Sequence, residues 1–291
     1  MRAIFMALVL VTGTPLAVQA AESPNRITVL VDAFSDRPDL KKDWGYSALV
    51  EYAGRRILFD TGNDSELFRF NVETSGVDLS KLDAVVISHR HGDHTDGLRY
   101  LLSINPDVAI YVPDDEYFGG ITPLRFFEKS VPALPLNMRY FDGTIPDPLP
   151  HGSPWKHAKL QRVTGTYEIF PGIRVVRNIS AGPNFTETPE LSLVIDSPTG
   201  QVLLVGCSHP GIEQILQSVS GADSVRLVMG GLHWLTLPDT EVKRLVDQLV
   251  NKWGVQSIAP GHCTGELGFS VLSQVFGNRY HYAGLGTIIE L

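Results

Sequence analysis

Cysteine is nearly missing from this 291-residue chain, which has only Cys207 and Cys263. A small fold stapled by several disulfides is therefore excluded. One bridge between the two remains open. Cys207 precedes His209 by two positions, however, and Cys263 directly follows His262, which suits a metal site at least as well as a staple. Positive charge is also short: 24 Lys+Arg face 32 Asp+Glu, for a net charge of −8. That balance speaks against a basic nucleic-acid surface and leaves a small molecule as the expected partner. It does not exclude a phosphorylated substrate, because a bound metal supplies local positive charge. No stretch beyond residue 20 is long and apolar enough to cross a bilayer, and there is no internal repeat or low-complexity tract.

What is present is ordinary for a globular protein, with 43% hydrophobic and 19% charged residues. The first twenty residues read as a signal peptide. Arg2 is a short basic start, Ala3 to Val11 an apolar run, Gly13 and Pro15 its break, and Val18-Gln19-Ala20 before Ala21 a small-residue cleavage site. The expectation is export to the periplasm or beyond, with residues 21–291 as the working domain and no stable membrane anchor after cleavage. The oligomeric state is not legible.

Periodicity supplies the elements. Ile27–Asp32 is a strand, and Ala48–Tyr52 with Arg56–Phe59 a hairpin that ends in Asp60-Thr61-Gly62. Asp64–Thr74 is a helix stopped by Gly76. Leu82–Ser88 is a buried strand, followed by a helix opening over Asp96–Asn105 and a strand over Val108–Val112. Later strands are Tyr167–Phe170, Ile173–Ile179, Leu191–Asp196, Gln201–Val205, Val225–Met229, Ser257–Ala259 and Gly286–Leu291. Gly211–Ser220, Asp239–Lys252 and Glu266–Phe276 are helices, the second with Val242, Leu245, Val246 and Leu249 on one face. The two halves repeat a β-rich-then-α order, which predicts an α/β fold with helices sandwiching two sheets. Residues 113–155 differ, holding eight of the chain's 19 prolines together with aromatics that include Phe118, Phe126, Phe127, Tyr140, Phe141 and Trp155. Proline breaks helices and central strands, so this insertion is a lid, a binding loop or an interface, or else a surface arm.

The chemistry concentrates in Ser88-His89-Arg90-His91-Gly92-Asp93-His94-Thr95-Asp96-Gly97, at a strand-to-helix turn. Three histidines so close are costly to bury unpaired, and N/O donors at this density are what zinc, iron or manganese take. His89 and His91 are two apart and point the same way on extended backbone; Asp93 and His94 can face a second ion. Cys207-Ser208-His209, Pro260-Gly261-His262 and His233 end other strands, where open α/β sheets keep their sites. His233 stays open as ligand, substrate contact or structural residue. His151 and His157 read as loop residues.

The run from Ser88 to His94, preceded by Asp60-Thr61-Gly62, resembles the signature of the metallo-β-lactamase superfamily. Gly206-Cys207-Ser208-His209-Pro210-Gly211-Ile212, Gly230-Gly231-Leu232-His233 and Gly261-His262-Cys263-Thr264-Gly265 resemble its dihydropteroate-synthase-like branch, which includes an archaeal enzyme of methanopterin synthesis. The resemblance implies an αββα four-layer sandwich and one or two zinc ions, with iron or manganese as alternatives. It implies His89, His91 and His209 on a first ion and Asp93, His94 and His262 on a second. On the same reading Asp93 orients the attacking water or carries its proton, and Asp60 aligns a ligand histidine. Two departures stand out. Ser180-Ala181-Gly182-Pro183-Asn184 lacks the histidine that many members carry there, and Cys207 fills the slot of a bridging aspartate. Cys207 is then a ligand, a bridge or a bystander. The expected activity is hydrolysis of an ester, lactone, amide or phosphoester by metal-bound hydroxide, with the 113–155 insertion and Trp234 as substrate wall. A transferase like the methanopterin enzyme, or a sensor that keeps the metal without turnover, are the alternatives.

Overall fold

The structure is a computed structural model that describes residues 25–119, 121–122, 130–146, 149–150, 155, 157–180, 187–219 and 225–291. The signal-peptide segment, His151 and residues 181–186 of the departing loop lie outside the described residues. In chain order the first half contains β1 (Arg26–Val31), β2 (Ser47–Tyr52), β3 (Arg55–Phe59), α1 (Ser65–Thr74), β4 (Ala84–Val86), α2 (Gly92–Thr95), α3 (Leu98–Ile104), β5 (Ala109–Pro113), a short ribbon of β6 (Ile121–Thr122) and β7 (Leu149–Pro150), and β8 (Lys159–Val163). The second half contains β9 (Thr166–Phe170), β10 (Ile173–Ser180), β11 (Thr188–Ser197), β12 (Gly200–Val205), α4 (Ile212–Val219), β13 (Val225–Gly231), α5 (Asp239–Asn251), β14 (Ser257–Gly261), α6 (Glu266–Phe276) and β15 (Ile288–Glu290).

The strands form a seven-stranded sheet in the order β15-β1-β2-β3-β4-β5-β8 and a six-stranded sheet in the order β14-β13-β12-β11-β10-β9. Three apolar clusters fill the layers. Val29, Val50, Phe59 and Val86 of the first sheet meet Val175, Leu193, Leu204 and Met229 of the second between the sheets. Phe68 and Val72 of α1 and Leu98 and Leu101 of α3 cover the outer face of the first sheet. Ile215 of α4, Val246 of α5 and Leu272 of α6 cover the outer face of the second. The αββα order follows from amphipathic helices closing the two outward apolar faces.

Asp64 starts α1 as the sequence predicts, its side chain accepting from Leu67 N. The helix expected over Asp96–Asn105 is α3, with α2 as a separate turn before it; between them Gly97 packs against the Asp60 turn, where a Cβ would meet Thr61 O at 2.1 Å. β11 is longer than Leu191–Asp196, reaching back to Thr188. β8 was not expected at all. Its pattern Lys-Leu-Gln-Arg-Val is mostly exposed and pairs only with β5 at the edge, where the core imposes no alternation. Within 130–146 the insertion makes short 3-10 turns and exposes Leu136, Met138 and Tyr140.

Candidate metal centre

The donors gather where strands of both sheets end: β3 and β4 on one side, β12, β13 and β14 on the other. The backbone pays for the convergence with strain: Asp60, Ser208, His233 and His262 all have φ between 45° and 62°, a region side chains rarely adopt. Each is the point where a strand turns sharply to aim a side chain inward. Gly206 completes the approach, since a Cβ there would lie 2.2 Å from Ser88 Oγ and 3.2 Å from Asp60 Oδ2. Only a residue without a side chain lets β12 come this close to the Asp60 turn.

Under the first sheet, Asp60 is fully buried and organises the histidine cluster. Its Oδ1 accepts Ser88 N at 2.6 Å, and its Oδ2 accepts Ser88 Oγ at 2.7 Å and His94 Nδ1 at 2.7 Å. His94 Nδ1 therefore carries the proton, and Nε2 is left facing Cys207 Sγ at 3.2 Å and Asp93 Oδ2 at 3.6 Å. With its hydroxyl proton given to Asp60, Ser88 Oγ accepts from His89 Nδ1 at 2.9 Å. His89 Nε2 then meets His91 Nδ1 at 3.0 Å.

Burial opposes charge on these rings. It pushes His89 well below its ordinary pKa, with the neighbouring histidines adding to the effect. It also lowers His91 to about 4, again helped by His209. At His94 burial lowers the pKa, but the Asp60 carboxylate overcomes it and raises the group to about 9. Burial raises Asp93, yet His262 and His94 outweigh it and hold that carboxyl below the usual range.

The second sheet works differently. Glu190, on β11, is buried and captures three consecutive backbone donors: Cys207 N at 2.9 Å, Ser208 N at 2.8 Å and His209 N at 2.8 Å. The same carboxylate accepts His209 Nδ1 at 3.0 Å, which frees Nε2 for the cavity. Burial raises Glu190, but the His209 contact and the backbone bonds dominate and bring it down to about 2. Asp32, at the end of β1, accepts His262 N at 3.0 Å and Phe34 N at 3.2 Å. There burial wins over the backbone bonds, and the carboxyl rises to about 7. Neither Glu190 nor Asp32 was singled out from sequence. An acid inside the apolar run Thr188–Ile195, and one closing the run Ile27–Val31 as Asp60 closes β3, were the available signals.

Three donor groups result, each with ligand atoms within 4.8 Å of one another: Asp93, His94, Cys207 and His262; His89, Cys207 and His209; and Cys207, His233 and Cys263. His91 joins the second through His89 and through ring contact with His209 at 4.8 Å. The donor set fits a metal. His262 Nε2 is buried without a hydrogen bond, although Asp93 Oδ2 lies 3.2 Å away. His89 and His91 also turn two ring nitrogens toward each other. Both cysteines are free and buried, so no disulfide joins them.

A cavity of about 670 Å³ opens over this cluster, lined by Trp44, Arg90, Gln214 and Thr236 besides the donors His91, Asp93, Cys207, His209, His233, His262 and Cys263. Trp44 is half exposed and packs against His262 at a tilt of 57°, with ring centroids 4.8 Å apart. Trp234, expected as substrate wall, is instead 4% exposed and packed in the apolar layer beneath α5 and α6. It follows the strand-end histidine, and the positive φ of His233 turns the indole inward. No described residue of 113–155 lines the cavity; that segment reaches it through Arg90, which Asp115 binds at 2.6 Å and whose guanidinium lies over the Tyr117 ring, 5.6 Å from its centroid.

The family model described as the metallo-beta-lactamase superfamily matches residues 44–240. The chain is 27% identical over 277 residues to the 7,8-dihydropterin-6-methyl-4-(beta-D-ribofuranosyl)-aminobenzene-5'-phosphate synthase of Methanocaldococcus jannaschii, covering 84% of this chain and 89% of that one. It is similar to the crystal structure of Tm1679, a metal-dependent hydrolase of the beta-lactamase superfamily. That match has a TM-score of 0.69 and 25% identity over 91% of this chain and 98% of the other. The metallo-beta-lactamase fold protein YhfI from Bacillus subtilis shares the fold, with a TM-score of 0.58 and 16% identity over 92% of this chain and all of that one (100%).

Proposed function

Because this chain belongs to the metallo-beta-lactamase superfamily, we propose that its donor cluster holds two zinc-type ions and that the protein hydrolyses an ester, lactone, amide or phosphoester bond in a small molecule. His89, His91 and His209 would hold the first ion, and Asp93, His94 and His262 the second. One observation carries the reading. His89, His94 and His209 have their Nδ1 atoms engaged by Ser88, Asp60 and Glu190, so each is locked with Nε2 toward the other donors. Such outer partners are what fixes ligand histidines in metal sites.

A divalent cation there supplies a Lewis acid and brings the pKa of a coordinated water from 15.7 toward about 7. The protein's own groups do the rest. Asp93, whose side chain is 19% exposed, reaches the cavity and orients a water by accepting its hydrogen bond. Its lowered pKa suits it to that role better than to storing protons. His233 faces the cavity beside His209, with ring centroids 4.6 Å apart, and is placed to touch the substrate. Trp44 offers an apolar platform. The charge of Arg90 is already answered by Asp115, which argues for orienting contacts rather than capture of a free anion. A cavity of about 670 Å³ suits a small molecule.

The test is turnover of an ester, lactone, amide and phosphodiester panel by the metal-loaded full chain, with and without chelator. Chelator-sensitive hydrolysis of one class is expected, together with its loss in His91→Ala. Hydrolysis that persists in a metal-free His91→Ala variant contradicts the reading. A second reading, group transfer, is favoured by the identity spread over 84% of this chain with the archaeal synthase. Formation of a dihydropterin joined to ribofuranosylaminobenzene phosphate, without hydrolysis of the panel, would select it. Metal retention with neither activity would select a sensor. Export belongs to the same proposal and rests on residues 1–20; a native N-terminus at Ala21 is the expected result, and retention of Met1 counts against it.

A further inference from the structure

We propose that the Cys207 thiolate is a ligand shared by both ions, so that the centre is bridged by sulfur. This rests on the reading that the donor cluster binds metal. Cys207 Sγ is the one donor atom common to all three donor groups among the described residues. It sits 3.2 Å from His94 Nε2 on the Asp93 side, and the same sulfur groups with His89 and His209 on the other. The two proposed ligand sets share no other atom. A zinc–sulfur bond of about 2.3 Å and zinc–nitrogen bonds of about 2.0–2.1 Å place ligand atoms of one tetrahedral site within the span these donors show.

The position of Cys207 is built independently of any ion. Glu190 holds its N–H and those of the next two residues. Behind it, the Gly231 backbone makes room: a Cβ there would come 2.8 Å from Cys263 Sγ and 3.5 Å from Cys207 Cα. The sulfur thus lies at the meeting point of the two half-sites, facing imidazoles, and His262 Nε2, buried without a hydrogen bond, belongs to the same group. A cysteine serving only as a small apolar filler would pack against aliphatic groups. Binding requires the thiol to give up its proton to solvent, so metal uptake releases it.

The consequence is selectivity. A thiolate at the centre favours zinc, cobalt, cadmium or iron(II) over magnesium and calcium, which take hard oxygen ligands.

The full chain is loaded with cadmium-113, its metal content is measured, and its cadmium NMR spectrum is recorded. The expected result is two ions per chain, both with resonances shifted into the sulfur-ligated range, and loss of both shifts in Cys207→Ser. Cys263→Ser leaves both shifts in place. Two bound ions with only one sulfur-shifted resonance, or with none, overturn the bridge while leaving the two-ion reading intact. Shifts that vanish in Cys263→Ser and persist in Cys207→Ser overturn it as well. Failure of the folded chain to retain cadmium overturns both readings at once. If Cys207→Ser does not fold, Cys263→Ser decides the question, because two sulfur shifts that persist there can come only from Cys207, and loss of either one overturns the bridge.

Discussion

The two halves of the donor cluster solve one problem in opposite ways. On the first sheet the ligands are close in sequence, running from His89 to His94, and Asp60, 28 and 34 residues away, reaches Ser88 and His94 by side-chain contacts. On the second sheet the ligands are scattered along the chain, and the supporting carboxylates act mainly on backbone. Glu190 holds the Cys207–His209 turn from 17 residues away, and Asp32 holds His262 from 230 residues away. The first half is a motif; in the second, Glu190 acts between neighbouring strands of one sheet, and the Asp32–His262 contact joins the two sheets. Aiming an imidazole thus needs no fixed sequence pattern, only a buried carboxylate at the right end of a neighbouring strand.

The comparison breaks hardest at Glu190. Glu190→Ala leaves three adjacent N–H groups and His209 Nδ1 without their acceptor. At about 1–3 kcal/mol for each unsatisfied buried donor, with partial rescue by water, a loss of about 3–6 kcal/mol is expected in chemical denaturation. A loss under about 1 kcal/mol would mean that the second half is not built on this carboxylate.

Asp32 sharpens the contrast through pH. Burial raises its folded pKa from 3.8 to about 7. The folded state therefore disfavours the charged form, so the contribution of Asp32 to stability is fully present below the unfolded value and is lost as pH rises through about 7. In chelator, wild type should lose on the order of 4 kcal/mol from this group between pH 4 and pH 8. Asp32→Asn should flatten that slope, as read by denaturation at several pH values. An unchanged slope in the variant removes Asp32 from the account.

The smallest expected effect lies on the first sheet. Asp60→Asn keeps the volume but cannot accept from both Ser88 and His94 as the carboxylate does. Metal affinity should fall about 10–100-fold by competition with a chelating dye. An equal affinity would show that the histidine motif aligns itself.

This division also explains what was legible from sequence. The layer order, the helices α1, α5 and α6, and the site's strand ends follow from periodicity and from polar residues that close apolar runs. His89, His91, Asp93, His94, Cys207, His209 and His262 all come together where the strands end, and Asp60 lies directly beneath them. Glu190 stayed hidden because a lone acid in a strand reads the same whether it faces solvent or caps a turn of the next strand. Asp32 stayed hidden because its partner is at the other end of the chain. Trp234 was misplaced because a single positive φ at His233 reverses where the next side chain points. β8 was missed because an exposed edge strand carries no core face to pattern it.

The central claim is that these two unlike halves close around two ions. It is tested most directly by the metal content of the full-length protein after equilibration with zinc and removal of free metal. The account predicts two ions per chain in wild type and one in a folded His262→Ala variant, which breaks only the second set. A folded wild-type chain that retains no zinc, or a His262→Ala variant that still retains two ions, would contradict it.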